Sequence, residues 1–347
     1  MNIAIDVTPL YSGHKDRGIG TYTRMLIDAL VKYEGNHSYY FFTRGQKVPN
    51  NIELIHYPFF DPYFITLPYF FSRTIVITVH DLIPLVFPAH FPSGLRGGLK
   101  WQYQRMRLRA ASHIITDSAV SKHDIECIAG VSSRNITIVP LAPPKYSGKL
   151  SGKVLNDVSK RYQLASRFIL YVGDVNWNKN IPGMMESFLR VRRQVPGVKL
   201  VLVGKGFLGE SPQARQTRAY IAKHSLDDEI LLTGSVSSQD LGVLYSRSSV
   251  YLQPSWYEGF GLPVLEAMAW GAPVVSSGGG SLAEIRGPAI PVDPESAGSM
   301  ASGLFAALSL TPRKRKQLVA AQRIWIQQFS WERVAHETVL SYETARK

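Results

Sequence analysis

The stretch that most limits the fold lies between two short apolar runs. Val250-Tyr-Leu-Gln-Pro precedes it and Pro273-Val-Val follows it, and between them stands Glu258-Gly-Phe-Gly-Leu-Pro-Val-Leu-Glu266. Apolar runs this short read as buried strands. Pro263 suits the first turn of a helix, where its missing N–H would have no partner anyway, and Gly271 suits the helix end. The unit is therefore strand, glycine turn, short helix, strand. Free N–H groups in the turn and the positive end of the helix make an anion site suited to a phosphate. Glu258 is placed in the turn beside that site, and Glu266 one turn into the helix, facing back. Two carboxylates that can bind hydroxyls next to a phosphate fit a sugar nucleotide.

The same alternation recurs along the chain. Asn2 to Val7 reads as a first strand, followed by Gly13-His-Lys-Asp-Arg-Gly18-Ile-Gly20 and a helical pattern from Tyr22. Gly18 and Gly20 would let the backbone approach a phosphate closely. Thr74 to Val79 is a β-branched run ending in His80-Asp81, which puts a histidine where α/β sheets place chemistry. Asp117-Ser118 reads as a capping pair. Pro140-Leu-Ala-Pro-Pro-Lys-Tyr-Ser-Gly148 breaks all periodicity and reads as a linker. Beyond it, Phe168 to Val172 leads to Gly173-Asp-Val-Asn-Trp-Asn178-Lys179-Asn180 and a helix, with Lys179 at the helix entrance where its ammonium can meet a phosphate. Val198 to Val203 runs into Gly204-Lys-Gly-Phe-Leu-Gly209, a G-x-G-x-x-G pattern with Asp227 and Asp228 downstream. Taken literally, it is a dinucleotide site. The final helices read as Ala321 to Phe329 and Trp331 to about Ala345.

A chain of 347 residues suits two domains. Its single cysteine, Cys127, rules out an internal disulfide framework. The N-terminus lacks a signal-peptide pattern, and no stretch has the length and apolarity of a membrane span. A cytoplasmic protein is expected. The formal net charge is +13, which favours acidic partners. No nucleic-acid-reading motif accompanies it, so phosphorylated ligands and an anionic membrane face rank above nucleic acid. The run from Leu95 to Ala111 concentrates this charge. It carries Arg96, Lys100, Arg105, Arg107 and Arg109 around Trp101, with no acidic residue. Such a helix suits contact with an anionic membrane, a solvated face or an acidic acceptor.

Across nearly its whole length the chain resembles the retaining glycosyltransferases of family 4. The resemblance rests on Glu258-Gly-Phe-Gly-Leu-Pro-Val-Leu-Glu266, the Gly-Ile-Gly turn, Thr78-Val-His80-Asp81-Leu-Ile-Pro84, Lys179 and Phe329-Ser-Trp-Glu332. It implies the α/β fold called GT-B, with two Rossmann-like domains facing a central cleft. An acceptor domain would span 1–148, with a helix at about 331–347 packing back on it, and a donor domain 149–330. It implies transfer of a sugar from a nucleotide-sugar donor to a hydroxyl with retention, and no bound metal or other cofactor. Lys179, Gly18, Gly20, Asn178, Gly204 and the segment Gly259, Phe260, Gly261 and Leu262 would lie at the donor. Glu266 would take the ribose, while Glu258 and His80 would hold the sugar near the reaction centre. The wording is most similar to bacterial mannosyltransferases of O-antigen and exopolysaccharide assembly. That similarity implies GDP-mannose, a lipid-linked saccharide acceptor and a peripheral place on the inner membrane face.

Two departures from the family pattern stand out. Asn178 occupies the place of a usual arginine, and Asp174 stands where some members carry a second basic residue. A UDP-sugar transferase, a sugar-nucleotide epimerase and a non-catalytic sugar-binding module fit the same architecture, while a dehydrogenase rests on Gly204 to Gly209 alone.

Overall fold

The structure is a computed structural model that describes residues 1–13, 15, 18–144 and 150–347. His14, Asp16 and Arg17 of the first glycine segment, and the domain boundary placed at 148 and 149, lie outside the described residues. The described chain divides into two units, Met1–Ala142 with Phe329–Lys347, and Pro143–Gln328.

In the first unit the strands are β1 (Asn2–Asp6), β2 (Ser38–Phe42), β3 (Leu54–Tyr57), β4 (Thr74–Thr78), β5 (His113–Thr116) and β6 (Ile136–Ile138). In the second they are β7 (Phe168–Val172), β8 (Lys199–Val203), β9 (Ile230–Gly234), β10 (Val250–Gln253), β11 (Val274–Ser276) and β12 (Ile290–Pro291). All pairings are parallel, in the orders β2-β1-β3-β4-β5-β6 and β12-β11-β10-β7-β8-β9. Strands such as Phe168-Ile-Leu-Tyr-Val172 are apolar throughout because helices cover both faces of a parallel sheet.

The helices of the first unit are α1 (Gly18–Tyr33), α2 (Ile83–Val86), α3 (Gly94–Arg109) and α4 (Ala119–Asp124). The second unit contributes α5 (Gly152–Arg161), α6 (Ile181–Gln194), α7 (Pro212–Lys223), α8 (Ser238–Arg247), α9 (Leu262–Ala269), α10 (Leu282–Ile285), α11 (Ala297–Leu308) and α12 (Pro312–Trp325). Ser, Thr or Asn side chains cap α4 to α8, α11 and α12, each accepting a backbone N–H. Two helix starts correct the sequence reading. Helix α1 begins at Gly18, so Gly18 and Gly20 form its first turn and not a preceding loop. Helix α12 begins at Pro312, well before Ala321.

The last helix, α13 (Trp331–Ala345), belongs to the first unit. It buries Trp331, Val334, Val339 and Tyr342, each worth about 1.5–3 kcal/mol of apolar burial. Tyr342 Oη lies 2.7 Å from Nδ1 of His56 on β3, and His56 Nε2 lies 2.8 Å from the Thr78 hydroxyl on β4. Burial, with a further push from His80, holds His56 at a pKa of about 3, so it is a neutral clamp.

Candidate active site

In an open parallel sheet, ligands bind beyond the carboxyl ends of the strands where the strand order reverses. In the second sheet that point lies between β7 and β10, which pair side by side. The turns leaving these two strands carry Lys179 and Glu258. Lys179 Nζ donates to both carboxylate oxygens of Glu258, at 2.7 and 2.8 Å. The pair is largely enclosed, with side-chain exposures of 20% and 7%. Glu258 Oε1 also accepts from Gln253 Nε2 (2.9 Å) and Ser255 Oγ (2.6 Å). An ammonium and a carboxylate that satisfy one another form a latch. An ammonium of this kind can bind a phosphate, and a carboxylate of this kind can accept from hydroxyls.

The peptide of Glu258 is fixed as well. Its carbonyl accepts from the Ser281 N–H and hydroxyl, at 3.1 and 2.9 Å. This contact needs the Gly278-Gly-Gly280 segment, because a Cβ on Gly279 would lie 2.2 Å from the Trp256 carbonyl. Gly259 and Phe260 are buried. Gly261 caps α9 with φ +96, a left-handed conformation, and Leu262 begins the helix. Glu266 sits within α9, buried, and accepts from Tyr245 Oη at 2.8 Å.

Three positions singled out in the sequence have contacts that the sequence did not show. Lys179 stands at the entrance of α6 and pairs with Glu258. Asn178 is an internal brace. It is buried, its Nδ2 donates to the Tyr257 carbonyl at 2.9 Å, and its own carbonyl accepts from Trp256 N–H at 2.9 Å. The G-x-G-x-x-G pattern has a packing cause. A Cβ on Gly204 would stand 2.0 Å from the Gly173 carbonyl, so glycine lets the turn after β8 close on the turn after β7. Asp174 turns its Oδ1 to the Val175 N–H at 2.9 Å.

In the first unit, His80 follows β4, and Asp117 follows the neighbouring β5. His80 Nδ1 lies 2.7 Å from Asp117 Oδ2, and the Tyr22 ring stands edge-on to the imidazole at 4.6 Å. Burial alone would favour the neutral ring. The charge and hydrogen bond of Asp117, with Asp81 and the Pro58 carbonyl, outweigh it and hold the His80 pKa above the ordinary histidine value. Asp117 was read only as part of a helix cap. Ser118 does the capping, accepting from Ser121 N–H, while Asp117 orients the histidine. No spacing rule could have paired residues on two separate strands.

The comparisons with known proteins bear on this geometry. Residues 157–325 match the family model described as "Glycosyl transferases group 1". The chain carries a group 1 glycosyl transferase domain. As an enzyme it belongs with the glycosyltransferases. It is 28% identical over 287 residues to O-antigen chain mannosyltransferase B of Escherichia coli, covering 80% of this chain and 72% of that protein. It is 31% identical over 250 residues to MMP alpha-(1->4)-mannosyltransferase of Mycolicibacterium hassiacum, covering 70% of this chain but only 57% of that one. Among solved structures, Anabaena Alr3699/HepE in complex with UDP-glucose superposes with a TM-score of 0.75 at 17% identity, over 99% of both chains. WaaG, a glycosyltransferase involved in lipopolysaccharide biosynthesis, gives 0.70 at 14% identity, over 97% of this chain and 98% of its own. The fold class is therefore GT-B, built from two Rossmann-like domains.

The matched transferase domain contains Lys179, Glu258 and Glu266 but not the basic helix α3, which lies in the first unit. There too the structure revises the expected contacts. Trp101 packs against the core, Arg105 Nε donates to the Ala129 carbonyl at 3.2 Å, and the Arg107 guanidinium lies 3.7 Å from the centre of the Phe71 ring. These three groups serve the fold. Outward on α3 stand Leu95, Leu99 and Met106, which are 91%, 73% and 57% exposed. Lys100 leans over Phe64, and Arg96 and Arg109 are exposed. Phe64, Tyr69 and Phe70 of the adjoining loop are exposed as well. Among the described residues, no helix is long and apolar enough to cross a membrane, and no group of three or more His, Cys, Asp or Glu is placed to hold a metal ion.

Proposed function

We propose that the protein is a retaining glycosyltransferase that moves mannose from GDP-mannose to a hydroxyl of a lipid-linked saccharide, with no metal required. The Lys179–Glu258 pair at the strand-order reversal carries the proposal. Charge grows on the leaving diphosphate in the transition state, and Lys179 with the N–H groups at the start of α9 would stabilise it. Losing its lysine to the phosphate turns the Glu258 carboxylate toward the donor sugar, beside the forming oxocarbenium ion. Glu266, already an acceptor for Tyr245, would take the ribose hydroxyls. His80, whose pKa Asp117 raises, would contact a sugar hydroxyl. No protein nucleophile is assigned, and the leaving phosphate would receive the acceptor's proton. Two of the relatives are named as O-antigen chain mannosyltransferases and a third as a serotype-specific mannosyltransferase, which supports the choice of donor and acceptor.

A lipid-linked acceptor requires the enzyme to work at a bilayer. The outward leucines of α3 and the aromatic loop beside it, rimmed by Arg96, Lys100 and Arg109, would seat on an anionic membrane, with apolar groups inserted and cations at the headgroups.

The test is thermal stabilisation in EDTA by GDP, GDP-mannose, UDP, UDP-glucose and NAD. A ligand at a hundred times its Kd adds about 2.7 kcal/mol. A shift with GDP and GDP-mannose alone is expected. A shift confined to the uridine nucleotides would replace the donor, and one confined to NAD would remove the transferase reading.

A further inference from the structure

A cavity of about 330 Å³ opens in the second unit, outside the arrangement described above. Its walls include Trp177, Trp256, Tyr220, Met185, Gln213 and Gln216, and no charged residue lines it among the described residues. The two tryptophan rings lie 4.8 Å apart at an interplanar angle of 32°, one stacked on the other at the cavity wall. Trp256 Nε1 is buried and makes no hydrogen bond. An indole N–H only donates, so a ligand that completes this site brings an acceptor.

These facts narrow the ligand. A phosphate or carboxylate would find no cation in the lining. An alkyl chain would cover the aromatic wall but leave the buried indole N–H of Trp256 unpaired, a cost of about 1–3 kcal/mol. A neutral pyranose has an apolar C–H face to lay on tryptophan and a rim of hydroxyls for amides and the indole. The cavity is of ordinary ligand-pocket size, at the low end of the usual range of roughly 300–1,000 Å³. Trp177 opens the turn that ends in Lys179, and Trp256 precedes Glu258 by two residues. The cavity therefore adjoins the ion pair.

We propose that this cavity is a subsite for one neutral pyranose unit of a saccharide. The sugar stacks on the Trp177–Trp256 wall, accepts from Trp256 Nε1–H and pairs its hydroxyls with Gln213 and Gln216. The proposal rests on the reading of the domain as a saccharide transferase, and goes beyond it by naming where a sugar other than the one being transferred is held.

The test is ligand-observed NMR titration of the full chain with mannotriose, with and without saturating GDP. Saturable binding that GDP does not displace is expected. Trp256→Phe keeps the ring and removes the donor, and should weaken binding about fivefold to tenfold, as should Gln216→Ala. Displacement by GDP would make the cavity a nucleotide site, and displacement by octanol would make it an alkyl site; either overturns the proposal. So would undiminished affinity in Trp256→Phe, or no response to mannotriose, maltotriose or cellotriose at about 10 mM from protein that still binds GDP. Mannotriose binding in a protein blind to GDP would keep the subsite and drop the donor assignment.

Discussion

Each unit encloses one charge pair beyond the carboxyl edge of its sheet, and the two pairs differ in where they stand. Lys179–Glu258 bridges the turns after β7 and β10, where the order of the second sheet reverses. His80–Asp117 bridges the ends of β4 and β5, which run on in one direction, while the reversal in the first sheet lies between β1 and β3. At a reversal the connections leave in different directions and open a crevice; between strands that continue, they stay packed. The lysine and glutamate can thus be separated by a ligand, whereas the histidine and aspartate stay together and set one another's protonation.

Removing Asp117 should break this contrast most severely. In the wild type the raised pKa of His80 adds stability that is whole below the ordinary histidine value and fades as pH rises through the raised one. In Asp117→Ala, burial, the largest influence on the ring, is opposed only by Asp81 and the Pro58 carbonyl and depresses the pKa, so stability instead falls as pH drops below the ordinary value. Denaturant unfolding against pH should show this reversed slope, with a loss of roughly 3 kcal/mol at the acid end. An unchanged slope would mean that the pair is not what charges His80.

Lys179→Ala sharpens the other half. Glu258 keeps Gln253 and Ser255, so the loss of stability should be smaller than the roughly 3 kcal/mol or more of a fully uncompensated buried charge. Transfer activity should fall about 100- to 1,000-fold, as when one preorganised donor to a developing anion is lost, and the stabilisation by GDP should shrink. A large loss of stability with normal GDP binding would make the pair structural like its counterpart.

Tyr342→Phe is a smaller perturbation in the first unit. It leaves His56 Nδ1 buried with no partner hydroxyl, costing about 1–3 kcal/mol. Because His56 titrates near 3, its stability contribution is lost as pH falls below the ordinary histidine range. That is the opposite direction to His80 in the wild type.

The mildest effect on the fold is expected from Leu95→Glu with Leu99→Glu. Both side chains are exposed, and exposed substitutions usually change stability by about 0.5 kcal/mol or less. Co-sedimentation with vesicles rich in phosphatidylglycerol should nevertheless be lost. Retained sedimentation would remove α3 as the membrane-facing element.

The alternation of β-branched runs with helical patterns made both parallel sheets legible, because strands covered on both faces are apolar throughout. The neighbourhood of Glu258 to Glu266 was legible for a similar reason: its glycines and proline mark a local turn. The contacts of Asp117, Gln253 and Ser255 were not legible because they depend on partners that only the sheet brings close. The glycines at 204 and 206 also have a packing reason that the sequence did not show: Gly204 makes room for the Gly173 carbonyl, and Gly206 for the Asp174 side chain. Position 178 misled because resemblance supplies a role for a residue type, and this chain has changed the type.

Helix α13 has a consequence for the order of synthesis. The wall of the first core that faces Tyr22, His56 and Thr78 is supplied by residues 331–345. A chain made from its N-terminus therefore assembles all of the second unit while the first still lacks its closing side. Until Tyr342 arrives, the apolar surface of the first sheet stands uncovered, a surface that chaperones recognise. The half of the molecule that is translated first is the half that matures last.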